Sequence, residues 1–231
     1  MASSVVLVHG WGGSFATTWQ QSGFTALLED GGKDVIGVDL LGHGTAAKPH
    51  DPAAYADLTG EILAALPDEP VEAVGFSLGA LTLLRAAVAH PERFSRLVLA
   101  GIGRNVLEPD DSGTAQIVAA LDQAIGGGET DSLGQVPRLF VQYAEQNGND
   151  IRALAAVMKR PRGSMLDATA IGTVQCPVLV VVGDQDFVHP GDELAALFPD
   201  GRCETLRKVD HFATPEAFGF FDATLEFLDA I

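Results

Sequence analysis

Gly75-Phe76-Ser77-Leu78-Gly79 sets a serine between small residues, straight after the strand-like run Val71–Val74 and straight before the helical stretch Leu78–Ala89. A G-x-S-x-G segment at a strand-to-helix turn holds its hydroxyl above the sheet edge, at the positive end of the helix. Small flanking residues let the chain approach closely enough to make that turn. A serine hydroxyl attacks a carbonyl only when a base takes its proton. The chain has six histidines. His211, in Val209-Asp210-His211-Phe212, follows the last strand-like run and precedes a helix start, so it is the candidate base. His9 and His43 sit in Gly-rich turns and are expected to hold loop backbone, while His50 and His90 lie beside prolines and read as exposed. The base needs an acceptor that fixes its tautomer and stabilises the imidazolium. Gly183-Asp184-Gln185-Asp186 offers two aspartates from one strand end. Asp186 is the candidate acid, and Asp184 is expected to accept from nearby backbone N–H groups. Asp39 ends another strand beside a turn and reads as structural. An anionic intermediate needs two N–H donors, which the backbone of Leu78 and of Trp11 can supply.

Those residues must be carried by elements that bring them to one edge. Strand-like runs at Val5–Val8, Asp34–Val38, Val71–Gly75, Arg96–Ala100, Val178–Val182 and Cys203–Val209 alternate with helical stretches at Thr18–Glu29, Ala53–Leu66 and Leu78–Ala89. Continuous apolar strands alternating with helices predict a parallel sheet covered on both faces. Thr214-Pro215-Glu216 reads as the start of a last helix, with an N-cap threonine, a first-turn proline and an acid at the positive end. Phe218, Phe221, Leu225 and Leu228 follow at helical spacing and are expected to face the core. From Arg104 to Gly172 no strand is evident. Helical segments near Thr114–Ile125, Pro137–Gln146 and Asp150–Lys159 are joined by Gly-rich turns, which reads as an insertion over the C-terminal edge of the sheet.

A chain of 231 residues fits one α/β domain and can bury its core without a metal or disulfide staple. The net charge of −17 repels nucleic acid and anionic membranes, so neither is expected as a partner. Cys176 and Cys203 lack metal-ligand spacing and read as small core residues in a reducing compartment, the cytoplasm. The N-terminal residues Met1 to Ser4 carry no positive side chain and lead into four apolar residues, which does not read as a signal peptide. No apolar stretch approaches the ~20 residues of a membrane span. Lys159-Arg160-Arg162 is the only basic run and reads as a solvated helix end.

Five motifs in register now point further. His9-Gly10-Trp11-Gly12, Gly37-Val38-Asp39-Leu40-Leu41-Gly42-His43-Gly44, Gly75-Phe76-Ser77-Leu78-Gly79, Gly183-Asp184-Gln185-Asp186 and the His211 loop occur in that order. The chain resembles the α/β-hydrolase family, in particular its small esterase, lactonase, C–C hydrolase and cofactor-free haloperoxidase-like members. The resemblance covers nearly all of the sequence outside residues 104–172. It implies an α/β-hydrolase fold, with Ser77 as nucleophile, Asp186 as acid, His211 as base, and Trp11 and Leu78 as oxyanion donors. It also implies that residues 1–103 and 173–231 form the core and that 104–172 form a small helical cap that closes the pocket. Only eight residues precede His9, so a shortened, mostly or wholly parallel sheet of about six strands is expected. The serine at position 77 sets the chain apart from the haloalkane dehalogenase and epoxide hydrolase branches, which use an aspartate there.

The expected activity is cleavage of a carboxylic ester or related acyl bond in a small molecule through an acyl-enzyme, with no metal and no organic cofactor. Lactone, C–C and perhydrolase chemistry would use the same triad. Two other readings are open: a ligand sensor of this fold with slow turnover, and a dinucleotide-binding protein, since Gly10, Gly12 and Asp39 fall where that motif wants them. The third glycine of that motif would fall at Phe15, which blocks close helix packing. Phe140, Tyr143, Leu154, Val157, Met158 and Phe212 are candidates to line the substrate pocket or, equally, to pack the cap. Substrate identity and oligomeric state are not encoded in these motifs.

Overall fold

In the computed structural model, residues 3–146, 148–161 and 163–231 are described; Arg162 of the basic run and the first two residues of the N-terminal stretch lie outside them. Six strands, β1 (Ser4–Val8), β2 (Asp34–Val38), β3 (Val71–Phe76), β4 (Phe94–Ala100), β5 (Val178–Gly183) and β6 (Gly201–Leu206), form one sheet in the order β2-β1-β3-β4-β5-β6. Every neighbouring pair is parallel, as expected from the nearly continuous apolar central strands β1, β3, β4 and β5, while the edge strands β2 and β6 are partly exposed.

Successive strand residues point to opposite faces, and each face packs its own helices. Val5, Leu7, Val74, Val98, Leu179 and Val181 meet α1 (Phe24–Asp30) and α10 (Phe218–Phe227) through Phe24, Leu28, Phe220, Phe221 and Leu225. Val6, Val8, Ala73, Leu97, Leu99 and Val180 meet α2 (Thr59–Ala65), α3 (Leu78–Ala89) and the short α9 (Asp192–Ala195) through Ile62, Leu83, Leu84 and Leu194. Between β4 and β5 the chain forms α4 (Arg104–Leu107), α5 (Asp111–Ile125), α6 (Gln135–Ala144), α7 (Ile151–Met158) and α8 (Ala168–Ile171). Aspartates open three of these: Asp110 accepts from Gly113, Asp150 from Arg152 and Ala153, and Asp167 from Ala170. Each satisfies N–H groups that the first turn leaves without a partner. Among the described residues, no helix is long and apolar enough to cross a membrane.

Several sequence expectations need correction. The helix expected over Thr18–Glu29 is a π-helical turn at Ala16–Gln20 followed by α1, because Gly23 between them takes a left-handed φ of 81°. The helix expected over Ala53–Leu66 is a 3-10 turn at Pro52–Tyr55 and then α2. Thr214 is not an N-cap. It lies in the 3-10 turn Thr214–Glu216, and its hydroxyl donates to the Asp210 carbonyl instead. Phe218 opens α10 and is 84 % exposed, against the expectation that it faces the core; the buried face of the helix centres on Phe220, Phe221, Thr224 and Leu228, and Phe218 lies at its margin, while Phe221, Leu225 and Leu228 are buried as expected. Cys176 and Cys203 are free and only partly buried, at the rim of the core.

Candidate active site

The C-terminal ends of β1, β3, β5 and β6 all open on one rim of the sheet. Ser77 stands between β3 and α3 with φ 51° and ψ −111°, a conformation that costs a non-glycine residue energy and survives only when its surroundings enforce it. Its N–H donates to Ala100 (2.8 Å), extending the β3–β4 ladder, and its carbonyl accepts from Leu81 (3.0 Å) at the head of α3. The flanking glycines make room. A Cβ at Gly75 would lie 2.7 Å from the backbone of Ala80, and one at Gly79 would lie 2.4 Å from the carbonyls of Val8 and His9. The turn is therefore wedged between α3 and the end of β1, with no space for larger residues.

Asp186 follows β5 and His211 follows β6. The two loops are zipped together: Asp184 N–H donates to Leu206 (2.9 Å) and Gln185 N–H to Val209 (3.1 Å). Gly183 is indispensable here, because a Cβ would meet the Val209 carbonyl at 2.0 Å. The Asp210 carboxylate accepts from Ala213 N–H (2.9 Å) and fixes the turn that presents His211. His211 Nε2 lies 2.9 Å from Ser77 Oγ, and His211 Nδ1 lies 2.9 Å and 3.0 Å from the two Asp186 carboxylate oxygens. Asp186 also accepts from Val188 N–H (3.0 Å). A carboxylate can only accept, so the ring proton sits on Nδ1 and the Nε2 lone pair faces the serine hydroxyl. Both Asp186 and His211 are buried. The imidazole is packed by rings: Phe187 at 4.4 Å, Phe76 at 5.1 Å and Phe212 edge-on at 5.6 Å between centroids. Such an arrangement can take the serine proton along a straight hydrogen-bonded path and hold the resulting imidazolium against a carboxylate away from water.

The other histidines and aspartates behave as their positions suggested. His9 is buried; its Nδ1–H donates to Gly10 (2.7 Å) and its Nε2 accepts from Leu40 N–H (3.1 Å). His43, also buried, donates from Nδ1 to Leu41 (3.0 Å), with its ring 4.9 Å from that of His9. Burial pushes the His43 imidazole down to about 3, with the neighbouring His9 ring adding to the effect, and burial lowers His9 as well. Asp39 accepts from Phe15 N–H, Thr45 N–H and Thr45 hydroxyl at 2.8–2.9 Å. Burial opposes its charge, yet these donors outweigh burial and hold the carboxyl below its ordinary range. Asp184 accepts from Lys208 N–H (2.7 Å).

Beside Ser77 lies a cavity of about 10 Å³, room for little more than one water molecule, lined by Trp11, Phe76, Ser77, Phe140, Tyr143, His211 and Phe212. Of the six candidate pocket residues, Phe140, Tyr143 and Phe212 reach it. Leu154, Val157 and Met158 do not: Leu154 and Val157 are fully buried, and Met158 packs at the edge of the same core cluster. That face of α7 is turned toward the body of the protein, where Val157 Cγ2 would stand 3.0 Å from a Cβ at Gly42. Phe76 and Phe187 were missed in the sequence. Each is the immediate chain neighbour of a site residue, and that adjacency was the available signal. Among the described residues no cluster of three or more His, Cys, Asp or Glu side chains is placed to hold a metal ion.

With this geometry in hand, comparison with known proteins adds a family. The model of the alpha/beta hydrolase fold matches residues 3–148. A pimeloyl-[acyl-carrier protein] methyl ester esterase of Chromobacterium violaceum is 30 % identical over 230 residues, covering 90 % of this chain and 86 % of that one. Among solved structures, a bromoperoxidase from Bacillus anthracis superposes with a TM-score of 0.72 at 23 % identity, covering 99 % of this chain and 92 % of that one. An enol-lactonase from Burkholderia xenovorans LB400 does so with a TM-score of 0.68 at 20 % identity, covering 99 % and 92 %. These two share the fold with this chain and differ from each other in chemistry. The family match, the relative and the six-stranded parallel sheet agree, and the chain belongs to the α/β-hydrolase fold family.

Proposed function

We propose that this chain is a serine hydrolase that cleaves a carboxylic ester through an acyl-enzyme on Ser77. The observation that carries the reading is the continuous contact from Ser77 Oγ through His211 to Asp186, at 2.9 Å for each link. His211 Nε2 takes the hydroxyl proton as Ser77 Oγ bonds to the ester carbonyl carbon. The carbonyl oxygen becomes an anion, held by the N–H groups of Leu78 and Trp11; loss of one such donor costs ~10²–10³ in rate. The imidazolium then gives its proton to the departing alcohol. Water, deprotonated by the same imidazole, releases the acid and restores Ser77. Asp186 keeps its negative charge throughout and holds the ring in its working tautomer.

Residues 104–172 act as a cap over the site in this reading, contributing Phe140 and Tyr143 to the cavity. Apart from the imidazole itself, no ionisable side chain except the Tyr143 phenol lines that cavity, and its walls are aromatic. A short, uncharged group beside the scissile carbonyl suits such walls. The methyl ester named for the C. violaceum relative is the first compound class to try, because a methanol leaving group is the smallest an ester can have. The two free thiols suit a reducing compartment such as the cytoplasm.

The test is steady-state turnover of p-nitrophenyl acetate and of methyl esters by the purified chain and by Ser77→Ala. Sustained turnover in the first and a loss of about 10⁵-fold or more in the second is the expected result. Equal rates in the two proteins would refute it. A single burst of one product per chain with no further turnover would favour a sensor of this fold.

A further inference from the structure

We infer that Asn149 is a positioning residue that couples the docked cap to the oxyanion hole. The inference rests on the reading that Trp11 N–H is one of the two oxyanion donors. That donor belongs to the peptide linking Gly10 to Trp11. In a trans peptide the N–H and the C=O point in opposite directions, so fixing one aims the other. The Gly10 carbonyl accepts from His9 Nδ1–H (2.7 Å) on the core side and from Gly13 N–H (3.1 Å), which closes the turn and belongs to the same peptide as the Gly12 carbonyl.

The outer half of the same turn is held by residues from the segment between β4 and β5. Asn149 donates from Nδ2 to the Gly12 carbonyl (2.8 Å) and to the Tyr143 carbonyl (3.1 Å). The Trp11 indole N–H donates to the Leu154 carbonyl in α7 (3.1 Å). The Tyr143 ring covers Gly12 so closely that a Cβ there would lie 2.6 Å from it. Asn149 joins α6 to α7, immediately before the Asp150 cap, and is half-buried. One side-chain amide therefore ties the cap to the donor-bearing turn, across 137 residues of sequence.

Two consequences follow. While the cap is docked, the turn is gripped from both sides and Trp11 N–H has one direction. When the cap lifts to admit a substrate, the Asn149 and indole contacts part, and the turn keeps only its core half. The Trp11 donor is then held from both sides only over a closed site, so the ester is activated most strongly after water has been shut out.

Asn149→Ala tests this, with kcat and KM for p-nitrophenyl acetate and with Ki for a trifluoromethyl ketone, whose serine adduct carries an oxyanion. A misaimed donor should cost less than a missing one, so kcat is expected to fall about 10-fold with KM within twofold, and Ki to rise by a similar factor. Asn149→Asp, of equal size but without the amide donor, should act in the same direction, which separates lost positioning from a lost side-chain volume. Unchanged kcat and Ki in a folded variant of either kind would overturn the inference, even if the melting temperature moved. If the ketone does not inhibit the wild type and Ser77→Ala turns over as fast as the wild type, the serine-hydrolase reading has failed instead. A ketone that inhibits wild type and Asn149 variants equally strikes only the coupling.

Discussion

The two ends of the sheet both bury charge, and they do opposite things with it. At the C-terminal ends of the strands, Asp186 and His211 are held in hydrogen-bonding range of a hydroxyl on a strained residue, beside a small cavity. At the N-terminal ends, Glu72 of β3 meets Lys33 at 2.7 Å, Ser3 at 3.2 Å and Arg96 at 3.4 Å, and Arg96 continues to Asp229 at 2.6 Å. The Lys33 and Glu72 side chains are each 7 % exposed. Asp229 there takes a positive φ of 51°, like Ser77, and lines an open hollow of about 520 Å³ with Leu27, Leu225 and Ile231, but among the described residues no histidine joins the network. Its charges neutralise one another and pin β2, β1, β3 and β4 to the chain's last helix. The lesson is that buried charge, a positive φ and open space do not by themselves mark a site; a hydroxyl within hydrogen-bonding range of a histidine that a carboxylate holds does.

Exchanging one carboxylate for its amide at each end breaks the symmetry of the comparison most sharply. Asp186→Asn leaves the fold nearly intact but presents the wrong partner to Nδ1–H, so ester turnover should fall by roughly 10⁴ while the melting temperature changes little. Glu72→Gln should do the reverse. It leaves the Lys33 ammonium buried without its main counter-charge, which costs about 3–5 kcal/mol, or on the order of 10 °C in melting temperature for a chain of this length. Its kcat/KM at 25 °C should match wild type. Paired melts and kinetics would collapse the distinction if both substitutions moved both quantities.

A smaller effect sharpens the same point within the catalytic end. His43 is buried and neutral beside His9, with its imidazole pushed down to about 3. The unfolded chain titrates there at the ordinary value of 6.5. Below that pH the unfolded state binds a proton that the native state refuses, so stability present above pH 6.5 drains away as pH falls toward 3. The slope is about 1.4 kcal/mol per pH unit, or ~2 kcal/mol between pH 6.5 and 5. Denaturant unfolding at pH 7 and pH 5 measures it, and His43→Gln should flatten the difference. An unchanged pH dependence in that variant would show that the titration lies elsewhere.

Much of this molecule could be read from its residues. The placement of Ser77 and Asp186 at one rim was legible because each follows a strand-like run that is buried, whereas His211 follows the weakest run, the half-exposed β6, and was read from its place before the last helix. The alternation of those runs likewise dictated the parallel sheet. Helix interruptions were harder, since Gly23 and the Asp57–Leu58 junction break elements whose apolar spacing continues across the break. Phe218 was expected inside and is exposed, because the buried face centres on Phe220, Phe221, Thr224 and Leu228 and spacing alone does not say where that face ends. The pocket divided along the same line. Phe140 and Tyr143 on α6 reach the cavity, whereas Leu154 and Val157 on α7, equally apolar, are spent on the core. Glu72, lone among the apolar residues of β3, was a visible clue to the opposite end of the sheet, but its partners Ser3, Lys33 and Arg96 come from just before β1, just before β2 and from β4, and carry no shared spacing.

The bond between Ser77 and His211 spans 134 residues of chain. In the proposed mechanism, a ribosome delivers the nucleophile early and the base late. Until β6 has joined the sheet and the loop beyond Val209 has emerged, a half-made chain holds a serine that nothing deprotonates. Synthesis order thus acts as a safety catch: growing chains pass through the cell chemically silent, and the reactive hydroxyl is armed only when the fold is finished.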